Sequence, residues 1–526
     1  MIRRRLGFGA LLVVLFAAGW VFGWSRATAR DRYEKLDLFV DALSKVESYY
    51  VDPVDPQKLV TGAINGMMKR LDPFSNYLDA KSFDELTVQT QGQFGGLGIV
   101  VSVRDNWPTV ISVLEGTPAA SQGILPGDRI VEIEGKSTRS LAIDEVVSKL
   151  RGPEGTKVAI SVQGVDEDSP RSVAITRKII HVKSIPYTNV FPGNVGYIRL
   201  SSFSATSGDE LTDALNTLQA EGAKGIVLDL RGNPGGLLSE AVDVSERFLP
   251  KGAVVVQTRG RAPNSDQTFY AEETRPNLGQ PIVVLVDEYT ASAAEIVSGA
   301  LQDHDRALVV GEQTFGKGSV QSLLNLPGSK AALKLTTAKY YTPSGRSIHK
   351  DAYNAHLGEE AASSDDDEDA APPADTTSNA NKPKFKTDSG RTVYGGGGIT
   401  PDIVVHPDTL SNPALEVERR ALIFQFANHY VASHPGVTLE AATSAPLWPT
   451  FKSYLTEQKF KVAPDSLEAQ KPYLDMAVRR ELARRLGGDQ AAFKVAAEQD
   501  VMLEKAIDLV RRAHAPRELL KLSMLH

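Results

Sequence analysis

The chain has no cysteine among its 526 residues. That excludes disulfides, thiolate catalysis, cysteine-ligated zinc and a lipid-modified cysteine anchor. Histidine is scarce, with 9 residues, and neither a His-x-x-x-His pair nor a Gly-x-Ser-x-Gly turn occurs. A zinc hydrolase of the usual helical pattern and a histidine-based serine turn are therefore disfavoured, and no metal or cofactor is expected. No basic block follows Arg3-Arg4-Arg5, so nucleic acid is not an expected partner. The net charge of −7 is little guide, because five of the negatives sit in the run Asp365-Asp-Asp-Glu-Asp369, leaving about −2 elsewhere.

Uncharged residues fill Leu6 to Trp24 directly after the arginines. As a helix these 19 residues reach about 28 Å, close to a bilayer's hydrocarbon core. The stretch reads as an uncleaved signal anchor, or as a signal peptide cut near Ala27-Thr-Ala29. Either exports the remainder, so a periplasmic location, at the inner membrane or released from it, is expected.

Patterning divides the rest. Residues 1–32 form the targeting segment and 33–90 read as helices, with Leu36, Phe39, Val40, Leu43 and Val46 at helical spacing. Residues 91–180 are β-rich. Residues 181–350 alternate strand and helix, the signature of an α/β layer. Residues 351–390, with the acidic run, read as a disordered insert. A strand returns within 391–410, and 411–526 form a charged helical tail of three or four segments. Helices at both ends make a homo-oligomer an expected state.

A lone serine in Thr290-Ala-Ser-Ala-Ala-Glu-Ile296 follows the apolar strand Ile282 to Val286, and Gly316-Lys-Gly318 comes 25 residues after that serine. Serine needs a base to attack a carbonyl, and a buried lysine can serve. Acting near neutral pH requires lowering the lysine pKa by roughly three units, within reach of burial. Gln321 can accept a bond from the lysine and orient it. At the helix start after Ser292, the Ala293 N–H is free for an oxyanion. Gly235 or Gly236, ending a neighbouring strand and opening a helix, can supply a second donor. Ser292 as a plain helix cap is the bland alternative. Gly311 to Gly318 also spells G-x-x-x-x-G-K, but Gly318 stands where a P-loop needs Ser or Thr, and strand rather than helix follows.

Gly95-Gly96-Leu97-Gly98-Ile99 opens the β-rich unit. Successive N–H groups there can form an anion nest for a peptide's terminal carboxylate, with the peptide added as a strand. With Gly127-Asp-Arg-Ile130 and Leu150-Arg-Gly-Pro-Glu-Gly155, the unit resembles a PDZ domain along its length.

Taken with Tyr50-Val-Asp-Pro-Val-Asp-Pro56, Leu71-Asp-Pro73, Asp229-Leu-Arg-Gly-Asn-Pro-Gly-Gly236, Tyr341-Thr-Pro-Ser-Gly-Arg346 and Gly395 to Pro401, the chain resembles the C-terminal processing peptidases. The resemblance implies a multidomain α+β protein: a PDZ domain inserted before a ClpP/crotonase-like α/β protease core, with helical N- and C-terminal regions. It implies a serine endopeptidase with Ser292, Lys317 and Gln321 as triad, acting on proteins with free C-termini. It also implies an oxyanion hole from Ala293 and a glycine of Gly235-Gly236. By the same resemblance Asp303 is a candidate accessory residue, Arg151 a candidate regulatory one, and an activating adaptor a candidate partner. Phe74, where the family often has histidine, is expected to touch no chemistry. The competing reading is a non-catalytic PDZ scaffold.

Overall fold

A strand with every residue buried can sit only where both faces are covered, and three neighbouring strands here are of that kind: Gly225–Asp229, Ile282–Val286 and Leu308–Gly311. They are the centre of a six-stranded sheet in a computed structural model that describes residues 36–165, 167–273, 279–350, 382–461 and 464–523. The sheet runs Thr188–Phe191, Val195–Arg199, Gly225–Asp229, Ile282–Val286, Leu308–Gly311 and Ile403–Val404. Only the first pairing is antiparallel.

Helices Ser207–Ala220, Leu238–Glu246 and Ala293–Asp303 cover one face through Leu211, Leu218, Ala241, Val244 and Val297. The other face meets Val501–Arg512, whose Met502, Leu503, Ala506 and Leu509 pack on Val227, Val283 and Leu285. Through this helix the tail forms a layer of the core, while its residues 414–482 pack as a cluster of their own. It also contains more helices than its pattern suggested, eight of them from Asn412–Arg419 to Pro516–Ser523 among the described residues.

A second sheet centres on Ala332–Tyr341, which pairs with Asn76–Leu78, Val254–Gly260 and Ser319–Asn325. The PDZ unit is a sheet ordered Ile99–Arg104, Trp107–Val113, Arg129–Ile133, Lys157–Gln163 and Arg171–Thr176. Its core is Val110, Ile130, Val146, Val158 and Val162. Gln93–Gly96 and Lys178–His181 pair where the chain enters and leaves it. The expected architecture therefore holds: a PDZ domain precedes a mixed α/β core, with helical regions at either end.

Two expectations need qualification. The acidic run lies outside the described residues, but the last part of the expected disordered insert, 382–390, is ordered: Lys384–Lys386 pairs with Thr392–Tyr394. The apolar segment Leu6 to Trp24 also lies outside the described residues; among those, no helix is long and apolar enough to cross a membrane.

Candidate active site

Both candidate reactive residues stand at the carboxyl edge of the parallel sheet. After Ile282–Val286 the chain turns through Asp287 and Thr290, whose hydroxyl donates to the Leu230 carbonyl at 2.9 Å. Ala291 N–H bonds the Asn233 carbonyl at 2.9 Å, tying this turn to the glycine-rich one on the neighbouring strand. Ser292 caps helix Ala293–Asp303 with φ 56° and ψ −115°. A non-glycine residue held there costs about 1–3 kcal/mol, strain of the kind that collects at functional sites. Ser292 is buried beside Tyr340, whose hydroxyl burial pushes up to about 12 while Ser292 pulls it back.

Glu295, fully buried, joins this turn to the lysine loop. Its Oε2 accepts Ser292 N–H at 2.8 Å and Lys317 N–H at 2.9 Å. Its Oε1 accepts Gly316 N–H at 2.8 Å and the Thr314 hydroxyl at 2.6 Å. Burial raises its pKa, and these four bonds pull it back. Sequence reasoning passed over Glu295, although Ser-x-x-Glu before an apolar run is a capping-box signature.

Burial lowers the pKa of Lys317 to about 8. Repulsion from Lys334 adds to this, while Glu295 and Asp72 oppose it. The drop is close to that required of a lysine base. Phe74 does touch this chemistry: the Lys317 ammonium lies 5.0 Å from its ring centre. The expectation that position 74 touches no chemistry is thereby corrected: the fold brings together residues 243 apart in the chain.

Gln321 follows a register shift in its strand, and its amide donates to Ser319 Oγ at 2.9 Å and Thr336 Oγ1 at 3.3 Å. Among the described residues no hydrogen bond joins Ser292 to Lys317, or Lys317 to Gln321.

The glycine pair divides its work. Gly235 N–H is committed to Asn233 Oδ1 at 2.8 Å, so it is not available as a donor. Gly236 N–H and Ala293 N–H carry no partner among the described residues. Gly236 does not open the following helix, which starts at Leu238 with Leu237 as its cap. It is held by a bridge to Phe203, where an added Cβ would overlap the Phe203 carbonyl. Gly235 lies against Ser292 and the Ala293 N–H, which brings the glycine turn beside the serine. Asn233, also buried, was not singled out by its motif alone; its Nδ2 holds the Leu200 carbonyl at 2.9 Å.

Asp303 closes the far end of the helix, about 16 Å from Ser292 at 1.5 Å per residue. Its carboxylate pairs with buried Arg346 at 2.8 Å and accepts Ser344 N–H at 3.0 Å, a structural assignment. In the PDZ unit, Gly95-Gly96-Leu97-Gly98 leads into Ile99–Arg104, an edge strand paired on one side only. Helix Ile143–Leu150 packs beside it. Leu97 is buried, its carbonyl bonded by Ala119 N–H at 3.0 Å. The Arg151 guanidinium stacks on Phe94 at 4.7 Å, beside the loop.

A sheet with a serine turn, a depressed lysine and a peptide-edge domain define a peptidase with its own docking module. Residues 194–356 match the model of peptidase family S41, residues 109–164 a PDZ domain, and residues 23–82 the N-terminal domain of activating protease CtpB. The carboxy-terminal-processing protease of Bartonella bacilliformis is 43% identical over 354 residues, covering 66% of this chain and 80% of that protein. The carboxy-terminal processing protease CtpA of Bacillus subtilis is 39% identical over 355 residues, covering 67% and 74%. Among solved structures, a photosystem II D1 C-terminal processing protease is 24% identical, with a TM-score of 0.37, covering 73% of this chain and 96% of that one. The chain belongs to the carboxy-terminal processing proteases of peptidase family S41.

Proposed function

We propose that this serine peptidase captures a protein's free C-terminus in the PDZ groove and cleaves the chain by a Ser-Lys-Gln mechanism. One observation carries the reading: Ser292 N–H and Lys317 N–H share a single carboxylate oxygen of Glu295, and burial pushes that lysine's pKa down to about 8. Neutral Lys317 takes the Ser292 proton as Oγ bonds to the scissile carbonyl carbon. The oxyanion meets Gly236 and Ala293 N–H. The Lys317 ammonium then protonates the leaving amine as the C–N bond breaks, leaving an acyl-enzyme. Water attacks the ester, Lys317 accepts its proton, and that proton returns to Oγ as the acid product leaves. Gln321 orients the lysine once its amide turns from Ser319 and Thr336.

In this reading the enzyme works in the periplasm, held to or released from the inner membrane by the segment Leu6 to Trp24. It assembles with a second copy through the N-terminal helices. The exposed Leu38, Val40 and Tyr49 of helix 36–49 support that, and analytical ultracentrifugation should show a dimer or larger. An activating adaptor would act by bringing Ser292 and Lys317 into bond.

Ser292→Ala and Lys317→Arg tests the mechanism, since guanidinium stays charged. Both should abolish casein cleavage while leaving PDZ binding of a peptide unchanged. Cleavage by either at the parent rate would sink the assignment.

A further inference from the structure

The turn that joins the N-terminal helices to the second sheet reaches Lys317. Asp72 builds it: Oδ1 accepts Phe74 N–H and Ser75 N–H at 2.8 Å each, and Oδ2 accepts the Ser75 hydroxyl at 2.9 Å. Ser75 Oγ in turn accepts Thr336 N–H at 3.1 Å. Asn76–Leu78 then pairs with Ala332, Leu333 and Lys334. Buried Ser75 and these bonds leave the Phe74 backbone little freedom, and its ring meets the Lys317 ammonium at 5.0 Å. Neither Ser292 nor Gln321 bonds that ammonium.

We propose that Phe74 is a positioning residue for the lysine base, seating Lys317 as an ammonium on its ring face while shielding it from water. The inference rests on Lys317 being the base. The ring acts in two opposed ways. Its face attracts the cation and favours the charged form. Its bulk excludes water and disfavours that form. Substitution separates the two. The other charged groups acting on Lys317 are Lys334 on strand Ala332–Tyr341, Glu295 on the serine helix and Asp72 in the same turn. All three stay in place when Phe74 changes. The N-terminal helix Pro56–Lys69, which leads into the turn, thereby bears on the state of the base.

The test is the pH dependence of kcat/KM for the full chain on a fluorogenic peptide, with thermal unfolding to check each variant. Phe74→Leu keeps bulk and removes the ring face, so the acid limb should move down by about half a pH unit. Phe74→Ala admits water, so the limb should move up, with the alkaline plateau retained. Phe74→Tyr should keep the parent profile. Should Phe74→Ala fail to fold, the difference between the Leu and Tyr limbs decides alone. Limbs that stay put, or move the same way in Leu and Ala, would overturn the proposal. So would a uniform loss of rate. Lys317→Met separates the two levels. Its inactivity with unmoved Phe74 limbs rejects only the role of Phe74, whereas its full activity rejects the base assignment as well.

Discussion

Glu295 has no exposed surface, yet its carboxylate ties the loop of Ser292 to the loop of Lys317, the two residues proposed for the chemistry. Four donors converge on its two oxygens. Glu295→Gln replaces one acceptor oxygen with an NH₂ group facing donors, leaving buried N–H groups unpaired at about 1–3 kcal/mol each. A Tm several degrees lower and a reduced kcat are expected, measured by calorimetry and steady-state cleavage; an unchanged enzyme would mean the loops are held by other bonds. At Gly236 the expected effect is on rate. Gly236→Ala pushes a methyl into the Phe203 carbonyl, which would displace the N–H proposed as an oxyanion donor. A loss of about 100-fold or more in kcat with KM little changed is expected. A KM effect alone would place Gly236 in substrate binding instead.

At the scale of elements, helix Val501–Arg512 shows how a tail outside the family pattern serves the core. Parallel strands with both faces apolar need a second cover, and this helix supplies it through Leu503 and Leu509. Its cap, Asp500, forms an ion pair with Arg231 at 2.7 Å, and Arg231 also holds buried Asp229 at the end of the central strand. Leu509→Ala should cost about 2–5 kcal/mol in chemical denaturation, as for other core leucines. A change below about 0.5 kcal/mol would mean the helix is not part of the folding unit.

Much at this scale was legible in advance. The strands Gly225–Asp229 and Ile282–Val286, the helix after Ser292 and the PDZ sheet stand close to where apolar runs and glycines put them, because those signals are local. Ser292, Lys317 and Ala293 were legible for the same reason. Phe74, Tyr340 and Asn233 were not. Each meets the site across a contact between residues far apart in sequence, which periodicity does not encode. Gly235 was misjudged because its N–H is taken by a side chain two residues back, a bond no motif spells out.

Across the whole molecule, three regions meet at one lysine: the N-terminal turn through Phe74 and Asp72, the serine helix through Glu295, and the second sheet through Lys334. As the proposed base, Lys317 must be neutral to accept a proton, and burial lowers its pKa to about 8, so activity should rise as pH climbs through 8 and fall below it. The most direct measurement of the central claim is mass spectrometry of the full chain quenched during turnover of a peptide substrate. The expected result is an acyl group on the fragment carrying Ser292, present in the parent and absent in Lys317→Met. An adduct on another residue, or undiminished acylation of Ser292 without Lys317, would contradict it.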